Sequence, residues 1–401
     1  MTKFSMPKTV AEREALLARA RVQKMTRSTH AYVRGNTVLF YQWLLESNNA
    51  QKIPVGPPVW ICGDCHLGNL GPLADSDGRI AVQIRDLDQT VIGNPAHDLI
   101  RLGLSLASAA RSADLPGVTT AQMLEQMIIG YVRALAEPGD PDAVPEPEDI
   151  RTVRRRALSR QWQHLAKERL EDVRPSIPLG KRFWDLLGDE RAALEAVIAG
   201  DEVRDLIRSF GKRHDQAALT LIDAAYWKKG CSSLGTLRFA ALVGISGPQH
   251  NDEYALIDLK EAVKSVVPTA TRKGMPIDAA RRVVAGARAL SPNLGNRMAA
   301  ATMLDRPVVV RELMPQDLKL EIDQFSRAEA PVAARYLAHV VGLAHGRQMD
   351  RSTRQKWRAE LQRRHSATLD APSWLWSSVV ELAAAHEAAY LDHCRRFAAR
   401  A

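Results

Sequence analysis

The sequence changes periodicity along its length, and this change limits the folds that the chain can adopt. Apolar residues recur at helical spacing over residues 10–24 and 37–46, through a long stretch after Pro95, and from Ala328 onward. The stretch at about residues 226–320 differs, because it contains short β-branched runs bounded by turn residues. These runs are GTLRFAALVGI, EYALIDLKEAV and RPVVVREL. The pattern predicts an α+β fold with a helical body and a separate strand-rich unit.

Composition is that of an ordinary globular protein. The chain has 401 residues, of which 46% are hydrophobic and 25% charged, and this length suffices for two or three packed subdomains. No segment approaches the roughly 18 consecutive apolar residues of a membrane span, and the charged N-terminal segment lacks the apolar core of a secretory signal. Four cysteines are too few for a disulfide framework. We therefore expect a cytoplasmic protein without a membrane partner.

The net charge of +9 leaves room for a polyanionic ligand. Part of the excess lies at residues 151–169, in the run RTVRRRALSRQWQHLAKER, which fits a solvated helix face or a patch for phosphates or nucleic acid. Aromatic residues make up only 5% of the chain and do not alternate with the basic ones. A stacking platform for single-stranded nucleic acid is therefore not indicated, and the composition argues against a nucleic-acid partner.

Two thiols, a carboxylate, an imidazole and an amide fall within the run CGDCHLGNL at residues 62–70. A structural zinc site would need a second ligand pair, but Cys231 and Cys394 are isolated in the sequence. A redox pair would need a thioredoxin-like βαβ unit, and no such pattern surrounds Cys62 and Cys65. A phosphoryl-transfer loop is the third possibility, and it requires residues outside the run.

The chemistry and spacing of a phosphoryl-transfer site are found in four residues, Asp64, Asn69, Asp86 and Asp88. An Asp orients the acceptor hydroxyl, an Asn five residues later holds magnesium, and an Asp after a following strand completes the metal site. Asp64 and Asn69 show this offset, and Asp86 ends an apolar strand with Asp88 on the same side. Magnesium prefers oxygen ligands of this kind. The runs PPVWIC and GRIAVQIRDLD flank the cluster, and we expect them to be the strands of one small hairpin.

The strand-rich unit contains groups that suit a nucleotide. In kinases a glycine-rich turn covers the phosphates and a lysine on the third strand contacts them. Gly230 and Gly235 bracket Ser232 and Ser233 just before a strand, and the next strand of a predicted hairpin ends with Lys260. We therefore expect the backbone N–H groups of this turn and the lysine to contact phosphates.

These motifs resemble the aminoglycoside phosphotransferase branch of the protein-kinase-like superfamily. That branch carries a loop H-G-D-x-H-x-x-N, a strand ending in Asp, and then G-D-P-x-x-D-L. The matching residues are Gly63, Asp64, His66, Asn69, Asp86, Gly93, Pro95, Asp98 and Leu99. A longer resemblance, over most of residues 30–350, is to the bacterial family catalogued as domain of unknown function 2252. Its pattern occurs here as YVRGN, GDCHLGNLG, DLDQT, DLIRL, GCSSLG, KEA and LAHGRQ.

The resemblance implies a protein-kinase-like fold of two lobes that transfers phosphate from ATP to a hydroxyl, with Mg²⁺ as a cofactor. Because the catalytic loop precedes the nucleotide-binding strands, it also implies a circular permutation. The expected units are a large helical lobe (1–215), a small strand-rich lobe (216–320) and C-terminal helices that complete the large lobe (321–401). The expected acceptor is an unidentified small molecule.

The resemblance further implies roles for single residues. Asp64 is the expected catalytic base, Lys260 contacts the α- and β-phosphates, and backbone groups near Glu312 and Met314 bind adenine at a hinge. The expected metal ligands are Asn69, Asp86 and Asp88. The expected supporting residues are His66, Asp98 and Arg34, of which the last suits a phosphate or carboxylate. The helix after Lys260 carries no glutamate to pair with it, so a nucleotide-binding pseudokinase or regulatory module stays open beside an active enzyme.

Overall fold

The fold is described from a computed structural model, which covers most of the chain. The described residues are 6–136, 140, 143–158, 176–210, 213–230, 234–246, 253–318, 326–363 and 371–397. Ser232 and Ser233 of the expected phosphate turn lie outside these residues, as does the part of the basic run at residues 159–169.

Helices surround the strand-rich stretch on both sides in the chain. The helices that precede it are α1 (Val10–Met25), α2 (Thr29–Gly35), α3 (Thr37–Glu46), α4 (Pro95–Ser112), α5 (Gly117–Ala136), α6 (Glu148–Leu158), α7 (Glu190–Ala199) and α8 (Asp201–Arg208). Those within and after it are α9 (Ala279–Leu290), α10 (Pro292–Gly295), α11 (Glu329–Gly346), α12 (Arg351–Arg363) and α13 (Ser373–Phe397). The helices predicted over residues 10–24 and 37–46 are confirmed. No helix in the described segments is long and apolar enough to cross a bilayer.

The strand-rich unit is an antiparallel sheet. The strands of the chain are β1 (Val59–Ile61), β2 (Leu70–Ala74), β3 (Ile80–Ile84), β4 (Val91–Gly93), β5 (Phe183–Trp184), β6 (Ala218–Trp227), β7 (Arg238–Ser246), β8 (Glu253–Glu261), β9 (Met298–Met303) and β10 (Arg306–Glu312). The last six form one sheet in the order β5-β6-β7-β8-β10-β9. The predicted hairpin of β7 and β8 and the predicted strand β10 are confirmed, and the mixed α/β class with them.

The two faces of this sheet have different surroundings, because side chains alternate along each strand. One face packs in an apolar core against α7 and α8. The opposite face is turned toward the helical body, and its polar side chains are Arg238, Asp258, Lys260 and Arg311. Because α7, α8 and β5 precede residue 216, the strand-rich unit also includes elements before the boundary expected from the sequence.

Two short antiparallel sheets hold the run at residues 62–70. β1 pairs with β4, and β2 pairs with β3. The prediction that β1 and β3 form one hairpin is therefore wrong, although both strands exist. The sequence LGPLA of β2 was not recognised as a strand because Gly71 and Pro72 weaken a strand pattern. The three residues of β4 were too few to show a period.

The helical body is built from both ends of the chain. α5 and α11 cross closely at Gly130, where a Cβ atom would stand only 2.0 Å from the carbonyl oxygen of Arg335. α13 packs on α4, and its Tyr390 hydroxyl donates to the carbonyl of Thr26 at the end of α1 at 3.1 Å. This body and the cleft-facing side of the sheet enclose the residues that the sequence singled out.

Candidate functional site

Segments far apart in the sequence meet in one cleft between the sheet and the helical body. They are the β1–β2 connection with Asp64 and Asn69, the β3–β4 connection with Asp86 and Asp88, and β8 with Lys260. Their side chains line two adjoining cavities of about 440 and 470 Å³, open mouths included. Both cavities are bordered by Asp86, Asp88 and Lys260. The fold thus gathers the expected catalytic, metal and phosphate-contacting residues in one place.

The carboxylate of Asp64 is held by a buried arginine. Arg101 of α4 donates Nε to Asp64 Oδ1 at 2.8 Å and Nη2 to the carbonyl of Val33 at 2.6 Å. The Asn69 amide nitrogen donates to the Asp64 carbonyl at 2.9 Å, and none of the described residues occupies its amide oxygen. Burial raises the pKa of Asp64, although Arg101 and the hydroxyl of Thr37 oppose this shift. A raised pKa makes the carboxylate a better proton acceptor.

Asp98, at the start of α4, anchors the loop that carries Asp64. Its two oxygens accept the backbone N–H groups of Cys62 at 2.7 Å and Gly63 at 2.9 Å. His345 Nε2 lies 3.2 Å from the same carboxylate, and the Tyr41 hydroxyl donates to the Gly63 carbonyl at 2.6 Å. Gly63 has φ +76°, which favours glycine, and its close neighbours leave no room for a Cβ atom. Asp98 therefore fixes the loop geometry and does not itself reach the cleft.

Lys260 of β8 forms ion pairs with both carboxylates of the β3–β4 connection. Its Nζ lies 3.5 Å from Asp86 Oδ1 and hydrogen-bonds Asp88 Oδ2. Burial acts to raise the pKa of Asp86, but the charges of Lys260, Arg238 and Arg311 outweigh it and lower the pKa. The pKa of Asp88 is raised to about 6, first by burial and then by the charge of Asp86. The Asp86 side chain is 43% exposed, so water screens part of these interactions and a cation can reach this ionised carboxylate.

The helix that follows Lys260 in the chain contributes a cation instead of a carboxylate. Arg282 of α9 is buried and donates to the carbonyl oxygens of Thr90, of Asp88 at 3.0 Å and of Val263 at 2.9 Å. Arg282 thereby connects α9 to main-chain oxygens of the β3–β4 connection. The carboxylate that hydrogen-bonds Lys260 comes from Asp88 of that connection and not from α9. Sequence reasoning missed this arginine, whose only signal was its position beside the apolar residues of α9.

A buried ion cluster lies on the sheet next to Lys260. Asp258 receives Nε and Nη2 of Arg238 at 3.0 and 2.6 Å, and both groups of Arg311 at 3.2 and 3.1 Å. Burial acts to raise the pKa of Asp258, but the two guanidinium groups hold it well below its ordinary value. These residues line the cavity of about 440 Å³ beside Asp86. Their signal in the sequence was alternation, since Asp258 stands two residues before Lys260 on one strand.

The expected phosphate turn is only partly described. Gly230 and Gly235 adopt φ of +90° and +107°, the left-handed region that favours glycine. The Lys24 ammonium of α1 donates to the Gly230 carbonyl at 2.7 Å. Thr236, directly after the turn, lines the cavity that contains Asp64. Thr236 thus brings the end of this segment to the cavity that contains Asp64.

The expected adenine hinge lies at the end of β10. The carboxylate of Glu312 is buried in a two-pronged ion pair with Arg213 at 2.6 and 2.8 Å, and its carbonyl accepts Nη1 of Arg297 at 3.2 Å. Met314 is half-buried, and its carbonyl accepts the N–H of Asp317 at 3.1 Å. The polar groups of Glu312 are thus used within the protein, and they stabilise the strand end.

His66 is part of the loop that carries Asp64, and Arg34 lies against this loop. The Arg34 guanidinium covers Gly68, where a Cβ atom would stand 2.7 Å from Nη2. His66 is buried, and its Nδ1 has no hydrogen-bond partner among the described residues. Burial, followed by the charges of Arg34 and Arg101, lowers the pKa of His66 well below its ordinary value. The imidazole is therefore neutral at physiological pH.

The two cysteines of the run are buried and free. Cys62 Sγ donates to the carbonyl of Asp86 at 3.5 Å, which links the two connections that form the cleft. Within the segments that the structure describes, no group of three or more His, Cys, Asp and Glu side chains is arranged to hold a metal ion. Both thiols are buried in the protein interior, and whether zinc is bound is decided by measurement.

Replacing both thiols tests the zinc alternative. We expect Cys62→Ser with Cys65→Ala to leave nucleotide affinity within about threefold, because serine retains a donor to the Asp86 carbonyl and alanine fills an apolar site. We also expect the wild-type protein to contain no stoichiometric zinc. Elemental analysis and calorimetric titration measure the two quantities. About one zinc per chain, lost in the double variant, would restore the metal-site interpretation.

A profile of one protein family matches residues 13–396, which is most of the chain. The family is described as "Uncharacterized protein conserved in bacteria (DUF2252)". The chain belongs to this family. Searches of the curated proteins and of the solved structures found no match. Membership in DUF2252 confirms the longer resemblance drawn from the sequence, and any function has to be argued from the geometry of the site.

Proposed function

We propose that this DUF2252 protein is an ATP-dependent phosphotransferase that phosphorylates a hydroxyl of a small molecule. One observation carries the proposal. Asp64, Asn69, Asp86 and Lys260 come from segments up to 196 positions apart in sequence and line one cleft beside a glycine turn. A base, two oxygen ligands for a metal and a phosphate-binding lysine are the parts that phosphoryl transfer from ATP requires.

We propose in addition a protein-kinase-like arrangement in circular permutation. The sheet of β5 to β10 would be the small lobe, with the glycine turn between β6 and β7 and the lysine on β8. The helical body would be the large lobe, and its helices come from both ends of the chain. A permuted order is possible where the joined ends lie close in space, and α13 packing near the end of α1 supports this.

The donor set fits magnesium. Asn69 presents an amide oxygen, because its nitrogen is bound to the Asp64 carbonyl, and Asp86 presents an ionised carboxylate in the same cavity. Asp88 would be a ligand only after Lys260 moves from it to a phosphate. When bound, magnesium would neutralise charge on the β- and γ-phosphates. The protein's own contribution is to hold these oxygens in place through Arg282 and the β3–β4 connection.

Asp64 would take the proton from the acceptor. The acceptor oxygen forms a bond to the γ-phosphorus while the bond from that phosphorus to the bridging oxygen of ADP breaks, and the hydroxyl proton passes to the Asp64 carboxylate. The burial that raises its pKa favours this transfer. Arg101 keeps the carboxylate oriented, and Lys260 stabilises charge on the donor phosphates.

A pseudokinase is the second candidate function. The observation that favours it is the hydrogen bond between Lys260 and Asp88, because a lysine held by a metal-loop carboxylate is drawn away from phosphates. Nucleic-acid binding gains no such support. In the described part of the basic run, Arg151, Arg154 and Arg155 pair with Glu146 and Glu148, as on a solvated helix face.

Binding of Mg–ATP is the direct test of the proposal. We expect saturating Mg–ATP to raise the Tm, because a ligand at 100 times its Kd stabilises the folded state by about 2.7 kcal/mol. Asp86→Asn should lose most of the part of this Tm increase that depends on magnesium, since the substitution removes a charged metal ligand. Asp77→Asn is the matched control, because Asp77 is exposed on the β2–β3 turn. Absence of any shift at millimolar Mg–ATP, confirmed by calorimetry, would refute nucleotide binding.

A further inference from the structure

We infer that the catalytic loop carries a second, anion-binding site formed by Arg34 and His66, and that the acceptor is an anionic hydroxyl compound. The ligand would be a carboxylate or a phosphate ester whose charged group rests on Arg34 while its hydroxyl faces Asp64. Its identity as the acceptor rests on the proposed function, whereas the anion site depends only on the contacts around Arg34.

The Arg34 guanidinium lies against the backbone of the loop that carries Asp64. Its Nη2, Cζ and Nε stand 2.7, 2.8 and 3.2 Å from the position that a Cβ atom on Gly68 would take. Only a glycine lets the guanidinium approach the loop backbone so closely. The side chain is half-buried, and among the described residues it forms no hydrogen bond or ion pair. A partly desolvated guanidinium gains strongly from an anion, with which it can form two parallel hydrogen bonds.

Two further nitrogens near Arg34 also lack partners among the described residues. His66 is 4% exposed and Arg101 is fully buried, and neither His66 Nδ1 nor Arg101 Nη1 is hydrogen-bonded within the described part of the chain. Arg34 lies against Gly68, two residues after His66, and Arg101 donates to the carbonyl of Val33, the residue before Arg34. Buried polar groups are almost always hydrogen-bonded in folded proteins. An anionic oxygen beside them would accept hydrogen bonds that the protein itself does not supply.

The position of this site suits the second substrate. Arg34 is the second-to-last residue of α2, and Thr37 is the first residue of α3. The Thr37 side chain hydrogen-bonds Asp64 and lines the cavity with Asn69 and Lys260. Lys260, assigned to the donor phosphates, contacts Asp86 and Asp88 but not Arg34. Arg101 links the Asp64 carboxylate to the carbonyl of Val33, the residue before Arg34, so we assign Arg34 to the acceptor.

The test measures anion binding without nucleotide. In magnesium-free Lys260→Gln protein, which lacks the lysine assigned to the donor phosphates, we expect inorganic phosphate to raise the Tm. Adding Arg34→Gln should raise the Kd for phosphate about tenfold or more, which is the effect expected when one charge-assisted hydrogen bond is lost. Adding Arg34→Lys should retain part of the affinity. Arg19→Gln, on the exposed face of α1, is the control with the same change of charge. Malonate in place of phosphate shows whether carboxylates are also bound.

The outcomes separate this site from the proposed function. The anion site is supported if Arg34→Gln weakens the binding of phosphate or malonate and Arg19→Gln leaves this binding unchanged. Equal binding with and without Arg34, or no binding of either anion, overturns it even if Mg–ATP still binds the wild-type protein. If the Arg34-dependent anion site is present but Mg–ATP does not bind, the assignment of the anion as an acceptor fails together with the proposed function.

Discussion

Asp64→Asn should reduce phosphoryl transfer by about a hundredfold or more, which is the usual scale for a lost general base, while Mg–ATP affinity stays within about threefold. The reason is a division of roles within the cleft. Asp64, which is bound to Arg101, is proposed to take the acceptor proton, whereas Asp86 and Lys260 are assigned to the metal and the donor phosphates. Until an acceptor is identified, slow ATP hydrolysis serves as the measured reaction, with water as the substitute acceptor.

Stability must be controlled in this experiment, because Arg101 is a fully buried cation whose partner is Asp64. Removing one partner of a buried ion pair costs about 3–5 kcal/mol. Asparagine keeps an oxygen that can accept the Arg101 Nε hydrogen, so we expect a smaller loss than with Asp64→Ala. Urea denaturation of both variants measures the difference, with Asp77→Asn as the control.

The kinetic result also separates an enzyme from a pseudoenzyme. If wild-type protein and Asp64→Asn hydrolyse ATP at the same rate, Asp64 is not the base. If the wild-type protein binds Mg–ATP tightly and never transfers phosphate to water or to anionic hydroxyl compounds, the pairing of Lys260 with Asp88 becomes the explanation. Asp88→Asn would then be expected to increase nucleotide affinity, because it releases the lysine toward the phosphates.

Asp98→Ala should lower the free energy of unfolding by about 3–5 kcal/mol, since it removes a buried carboxylate that several buried groups contact. The side chain is fully buried, and its two oxygens satisfy the backbone N–H groups of Cys62 and Gly63. Without them two buried donors are unpaired, each at a cost of about 1–3 kcal/mol. His345 loses its contact as well.

Equilibrium urea denaturation, followed by circular dichroism, measures this loss. Asp98→Asn keeps one acceptor oxygen and should fall between Ala and the wild type. Asp205→Ala, at an exposed position of α8, should change the free energy of unfolding by no more than about 0.5 kcal/mol. A near-neutral Asp98→Ala variant would show that the loop around Asp64 does not depend on this carboxylate, and that its spacing match to the phosphotransferase motif has no structural consequence.

Much of the local structure followed from the sequence. Periods of two and of 3.6 residues identified β7, β8, β10 and the helices, because these periods come from side-chain directions within one element. The spacing of Asp64 and Asn69 was also a local property. One turn that carries Asp64 brings Asn69 back to its carbonyl, and no distant residue is needed for that bond.

Pairings between distant elements were decided by the tertiary structure alone. β1 pairs with β4 and not with β3. The partner of β3 is β2, although β2 contains a glycine and a proline. Lys260 meets Asp88 across a separation of 172 residues, and Arg282 meets Thr90 across 192. Such contacts depend on how packed elements are placed relative to one another, and no period or motif within either segment encodes them. The sequence alone predicted which polar residues would belong to one phosphoryl-transfer site, and only the packed fold decided which of them hold one another in place.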